Sequence, residues 1–266
     1  STPKPSSAAS DVYKRQRERR PWIPQVACFD TAFHRSHSDV ADRYALPESL
    51  YQEGVRRYGF HGLSYEYIAQ RLRQALPELA MGKIIAAHLG SGVSACAMHE
   101  GKSVDSTMGF TALEGLPMGT RPGRLDPGVV LWMMERGMDH DQIEHLLYHD
   151  CGMKGLSGIS NDMRELLASD APSAQLALKY FAWRVAEGMI GLGCAMNGID
   201  GIVFTAGVGE NSAEIRRAIS EHWGWLGIKL DPERNAHHGP RISSDDSRIG
   251  VYVAVSYTHL TLPTKA

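Results

Sequence analysis

The chain has 266 residues, 43% of them hydrophobic and 22% charged, with a net charge of −2. That balance suits one large globular domain or two small ones and disfavours nucleic acid or an acidic membrane surface as partner. No apolar run approaches the roughly 18 to 20 residues of a spanning helix, and the start shows no signal-peptide pattern, so a cytoplasmic protein is expected.

Residues 1–20 carry six Lys and Arg against Asp11 and Glu18, a net of +4 that leaves about −6 for the rest. This Ser-, Pro- and Arg-rich arm lacks apolar periodicity and is expected to be a disordered, non-native tail. Residues 257–266, YTHLTLPTKA, are read as a second such tail, leaving 21–256 as the folded unit. Cys28, Cys96, Cys151 and Cys194 match no metal or redox spacing and are expected to be small buried hydrophobes in a reducing compartment.

In chain order, LSYEYIAQRLRQAL (63–76) has helical spacing. KIIAAHLG (83–90) is an apolar strand that ends at Gly-Ser-Gly, and SACAMHEGKSVDSTM (94–108) reads as a hairpin around Glu-Gly-Lys. EGLPMGTRPGRLDPG (114–128) has too many turn formers for a regular element and must be a shaped loop. DPGVVLWMMERG (126–137) and the long segment 173–197 read as helices, the second central and buried. GIVFTAG (201–207) and RIGVYVAV (248–255) are further strands, and SAEIRRAISEHW (212–223) is a helix with Ser212 as N-cap. Interleaved strands and helices predict an α/β fold with a mixed sheet flanked by helices.

Two strand-to-glycine junctions, AHLGSG (87–92) and TAGVGENS (205–212), fit anion binding, since glycine lets main-chain N–H groups approach a phosphate. At the second, a helix start would turn its positive end to the same anion. Neither is a Walker A loop or a GxGxxG fingerprint. Asp30 in FDTAFH and His61 in GFHG are candidate polar groups, although a helix cap and a core histidine are equally open readings. A guanidinium held by Pro117 and Pro122 suits charge on a transferring phosphoryl group, and spacing does not choose between Arg121 and Arg124. His145 and His149, one helical turn apart, have no third ligand and read as helix surface; no metal site is expected, and His237 and His238 are assigned no role.

FDTAFH, RRYGFHGLSYEYIA, AHLGSGVSACA, DSTMGFTALEGLPMGTRPGRLDPG, GLSGISNDMREL and GIVFTAGVGENS together resemble, in order, the acetate kinase family. The resemblance covers roughly 25–255 and implies the actin-like fold shared with sugar kinases and chaperone ATPases. It implies reversible transfer from ATP to acetate with Mg²⁺, in a cytoplasmic homodimer, with propionate or butyrate kinase and a non-catalytic actin-like module as alternatives. Through it, Asp30, His61 and Arg121 are expected to be catalytic. His88, Leu89, Gly90, Ser91 and Gly92 are expected to form one nucleotide turn, and Gly207, Val208, Gly209, Glu210 and Asn211 the second. Asp162, Met163 and Arg164 are expected at the adenosine.

Two positions depart from the pattern: Ser91 replaces the Asn of HLGNG, and Tyr65 stands where a histidine is usual. The family's NCGSSSLK-type loop, its acyl-binding arginine and its TDEE-like glutamate are not in this sequence. The sequence is therefore expected to be a C-terminal portion, with the Mg²⁺ ligands outside it and turnover impaired. Leu131, Met134 and the 178–189 region, Tyr180 and Trp183 included, read as core or subunit contact.

Overall fold

A computed structural model describes residues 15–24, 26 and 28–255. The 257–266 tail and residues 1–14 of the basic arm lie outside them, and 15–19 form an exposed helical turn. Five strands, β1 (Lys83–Leu89), β2 (Val93–His99), β3 (Lys102–Ser106), β4 (Gly201–Thr205) and β5 (Gly250–Val253), make one sheet in the order β3-β2-β1-β4-β5. The β1–β2 and β2–β3 pairs are antiparallel and the β1–β4 and β4–β5 pairs parallel, which gives the expected mixed sheet. Glu100 and Gly101, both at positive φ, make the two-residue β2–β3 turn. Such a turn matches the twist of the strands it joins.

Strand alternation sorts the core into two layers. Ile84, Ala86, Cys96 and Met98 face α1 (Gly62–Ala75), which buries Tyr65, Ile68, Ala69 and Leu72. Ile85, Ala87 and Leu89 face the opposite layer, built on α3 (Pro172–Gly191). There α3 buries Ala174, Ala177, Phe181, Val185 and Met189 along one face, and Trp223 stacks on Phe204 and donates to Ala186 O. α3 is thus half-buried rather than central, because Leu176 and Trp183 stay exposed.

Helix α2 (Pro127–Glu135) differs from the core reading of its apolar stripe. It buries no residue, and Leu131, Trp132 and Met134 are 60%, 52% and 59% exposed. The cysteine expectation also needs correction. Only Cys96 is buried; Cys28 and Cys194 are exposed and Cys151 is intermediate. Cys194 lies in the short helix Gly193–Met196, whose buried positions are Gly193 and Met196. No helix among the described residues is long and apolar enough to cross a membrane.

Candidate active site

The sheet's carboxyl edge builds the site. β1 runs into Gly90, Ser91 and Gly92, which turn the chain back into β2, with Gly90 N–H donating to Gly92 O at 3.1 Å. A Cβ on Gly92 would lie 2.8 Å from Arg121 Nη2 and 3.0 Å from His61 Nε2. The ends of both side chains therefore converge on its α-carbon.

His61 takes φ +57° at the N-cap of α1, a left-handed value uncommon for a side-chain-bearing residue. Asp30 holds it there. Its carboxylate accepts from His61 N–H at 2.7 Å, and its carbonyl accepts from Gly62 N–H at 2.7 Å. The helix-cap reading of Asp30 thus holds, and the same two contacts fix the backbone of His61. The His61 ring stacks on His88 with centroids 4.2 Å apart and planes 20° apart. His61 Nδ1 lies 2.8 Å from Ser94 Oγ, and His88 Nδ1 lies 2.9 Å from Ser64 Oγ. Burial, then His88 and Arg121, pull the His61 pKa down to about 3. Burial also lowers His88, against the opposing pull of Asp30 and Glu210.

The Arg121 loop is anchored on both sides. Met118 is fully buried and donates its N–H to Arg121 O at 3.0 Å. Thr120 Oγ1 donates to Tyr148 O at 2.8 Å, and Cys151 N–H donates to Thr120 O at 3.0 Å, tying the loop to the π-turn Leu146–Asp150. Arg121 Nη1 donates to Ala112 O at 2.8 Å, which leaves Nη2 over Gly92. Among the described residues no carboxylate pairs with this guanidinium, and burial lowers its pKa. Arg124, in contrast, is 77% exposed and sits 3.6 Å from Glu187. Of the two arginines, Arg121 is the one whose side chain reaches the glycine turn. A half-buried guanidinium without a counterion is a seat for an anion.

Beside these donors lies a cleft of about 660 Å³, lined by Gly90, Ser91, Asn161, Asp162, Met163, Arg164, Gly207, Val208 and Asn211, among others. Asp162 accepts from Arg164 N–H as the N-cap of Met163–Leu167, and the Arg164 side chain folds onto the same carboxylate. Leu89 is fully buried in the core, and neither Gly209 nor Glu210 lines the cleft.

The second glycine junction is not a loop preceding a helix. Ala206–Asn211 is itself a helix, α4, and α5 (Ala213–Ser220) follows, capped by Ser212 as expected. Ala206 takes φ +65°, and Glu210 turns back to accept its N–H at 2.8 Å. The positive end expected to face an anion is thus partly covered by the protein's own carboxylate. Ser64, Ser94, Ala112, Tyr148 and Asn161 also shape the site and carry no signal in the glycine and charge patterns.

A measurable consequence concerns acid. His34, His37, His61 and His88 all titrate below 6.5, chiefly through burial, His37 at about 4 and His61 at about 3. The unfolded chain takes up these protons first, near 6.5, so stability is complete above that pH and is lost as pH falls toward the folded values. Each histidine contributes a slope of about 1.4 kcal/mol per pH unit in that window. Urea unfolding should therefore give a clearly lower free energy at pH 5.5 than at 7.5; equal values would show that the rings are solvated.

Residues 2–260 match the sequence profile of the Acetokinase family. The chain is 60% identical over 234 residues to an acetate kinase of Nitrobacter hamburgensis, covering 88% of this chain and 58% of that protein. It is 55% identical to one of Methylocella silvestris, covering 89% and 59%. Among solved structures, acetate kinase of Porphyromonas gingivalis superposes with a TM-score of 0.85 at 36% identity, covering 92% of this chain and 64% of that one. A propionate kinase of Francisella tularensis superposes at 0.88 and 35%, covering 93% and 65%. The chain thus spans under two thirds of the length of each of these relatives.

Proposed function

The chain belongs to the acetokinase family, and we propose that its cleft transfers the γ-phosphoryl group of ATP to acetate, reversibly giving acetyl phosphate and ADP. In this reaction an acetate oxygen attacks the γ-phosphorus as the bond to the ADP oxygen breaks. The acceptor is already a carboxylate, so no proton need be removed from it and no general base is required. What the site must supply is positioning and positive potential around the three equatorial oxygens. One observation carries the reading: Arg121 Nη2 and His61 Nε2 converge on Gly92, with no carboxylate among the described residues paired to the guanidinium.

In this reading Arg121 supplies the charge and His61 a hydrogen bond, while Asp30 fixes His61 through its N–H. The 660 Å³ cleft takes the nucleotide, with the Gly90 turn and α4 at the phosphates and Asp162–Arg164 toward the adenosine. Mg²⁺ fits the described residues poorly. The one group of three close enough to share a cation is His140, Asp141 and Glu144, which is exposed and does not line the cleft.

The partner reading is a homodimer through α2 and the exposed face of α3. α2 carries Leu131, Trp132 and Met134, which nothing among the described residues buries, and Trp183 on α3 is 47% exposed. Apolar residues concentrated on one element in this way mark an association surface. A cytoplasmic location goes with this reading, because ATP is its phosphoryl donor. Incubation with ATP, Mg²⁺, acetate and hydroxylamine should yield acetyl hydroxamate, with propionate as competitor to rank the acids. ADP binding without product would favour the non-catalytic nucleotide-binding alternative.

A further inference from the structure

The proton on His61 has two possible homes, and the hydrogen bonds behind the ring distinguish them. Ser94 on β2 is fully buried, and its Oγ sits 2.8 Å from His61 Nδ1 and 2.5 Å from the Tyr65 hydroxyl. Tyr65, one turn into α1, is also fully buried. A serine hydroxyl has one hydrogen, and a phenol has one. If His61 carried its proton on Nδ1, it would donate to Ser94, and Ser94 would have to donate onward to Tyr65. The phenol hydrogen would then be buried without an acceptor, since Ser94 is the one side-chain partner of that hydroxyl among the described residues. In the opposite sense both buried hydroxyls and Nδ1 are satisfied: Tyr65 donates to Ser94, Ser94 donates to Nδ1, and the ring hydrogen is left on Nε2, facing the glycine turn. Buried hydroxyls are rarely left unpaired, so the chain of donors has one direction.

We propose that Ser94 and Tyr65 are positioning residues that hold His61 with its ring proton on Nε2, the nitrogen that meets Arg121 over Gly92. Ser94 reaches His61 because it shares a strand face with Cys96 and Met98, which pack on α1. Tyr65, the departure from the family pattern, acquires a purpose as the first donor of the relay. His88, stacked against His61, is held through Nδ1 by Ser64, so both rings are gripped by serines on the side away from the glycine turn. The value of this arrangement for turnover rests on the phosphoryl-transfer reading, because an Nε2–H donor is what a phosphoryl oxygen would accept from. The proton's location does not rest on it.

The test is made on the chain without nucleotide, labelled with ¹⁵N-histidine, with His61 assigned by the signals lost in His61→Gln. Long-range ¹H–¹⁵N correlation separates protonated from bare ring nitrogens. The expected result is a single Nε2–H form in the unaltered chain. Ser94→Ala should lower the ratio of the two tautomers by about tenfold, the weight of one hydrogen bond. Tyr65→Phe keeps the buried ring and should lower it by less, since Ser94 keeps its own hydrogen to donate. An Nδ1–H form in the unaltered chain, or an unchanged ratio in Ser94→Ala with a native-like spectrum elsewhere, overturns the proposal. Should Ser94→Ala fail to fold, Tyr65→Phe carries the same comparison, and an unchanged ratio there counts against the relay. Failure to form acetyl hydroxamate would sink the kinase reading and leave the tautomer result standing.

Discussion

Arg121→Ala is expected to reduce acetyl hydroxamate formation by about 10²- to 10³-fold, the cost of roughly 3 to 4 kcal/mol for removing one preorganised donor at developing charge. The loss should fall on turnover more than on nucleotide affinity. In the proposed reaction Arg121 would meet the transferring group near Gly92, whereas the cleft proposed for the nucleotide extends over to Asp162 and Asn211. Arg121→Lys should recover little. One ammonium cannot hold Ala112 O at 2.8 Å and also reach Gly92, as the two ends of the guanidinium do. The control lies three residues away. Arg124 is 77% exposed and loosely paired with Glu187, so Arg124→Ala should alter stability and activity by no more than about 0.5 kcal/mol. A collapse in Arg124→Ala with Arg121→Ala unaffected would reverse the assignment of the loop.

The sequence alone carried the strands well and the site unevenly. The β1 to β3 region was legible because its alternation and the Glu-Gly turn point to the same hairpin, and the structure places both. The stripe on α2 misled because helical spacing reports an apolar face without saying what covers it, and here no element among the described residues does. The GVGEN segment was read as a loop on its glycines. Its helix is held by the Glu210 carboxylate returning to Ala206 N–H, a contact between side chain and main chain that no periodicity records. Asp30 and His61 were ambiguous as single residues and are explained by each other, 31 positions apart. Roles for them came from family resemblance, whereas Ser94, one strand position among small residues, offered no signal before α1 was packed against it.

Arg216 illustrates a functional support that spacing half reveals. It lies within the Ile215–Ile219 stripe of α5 and so on the buried face, while Arg217 next to it is exposed and pairs with Glu221. Its side chain is fully buried, and every N–H is used. Nε donates to Asn235 Oδ1, Nη1 to the carbonyls of Gly209 and Glu210, and Nη2 to Asn235 O and to His238 Nδ1. His238, which the sequence left without a role, is thus an acceptor. Burial brings the guanidinium down to about 10, so it remains charged at neutral pH, held by carbonyl dipoles rather than by a carboxylate. Two of those carbonyls end α4, so the same side chain that fills the core fastens the segment beside the nucleotide cleft. Arg216→Met keeps the bulk but strands three main-chain acceptors and Asn235 Oδ1. The expected loss is about 3 to 5 kcal/mol, within the range of a buried network broken at one member. Against a total of roughly 5 to 15 kcal/mol, that leaves a marginal fold, and the midpoint of urea unfolding should drop accordingly. Arg216→Lys offers three hydrogens for five acceptors and should fall between. If it folds, its ADP affinity should weaken more than its stability, because the carbonyls it fails to hold belong to α4. Equal stability of Arg216→Met and the unaltered chain would mean that α4 is fixed by Glu210 and its flanking strand alone.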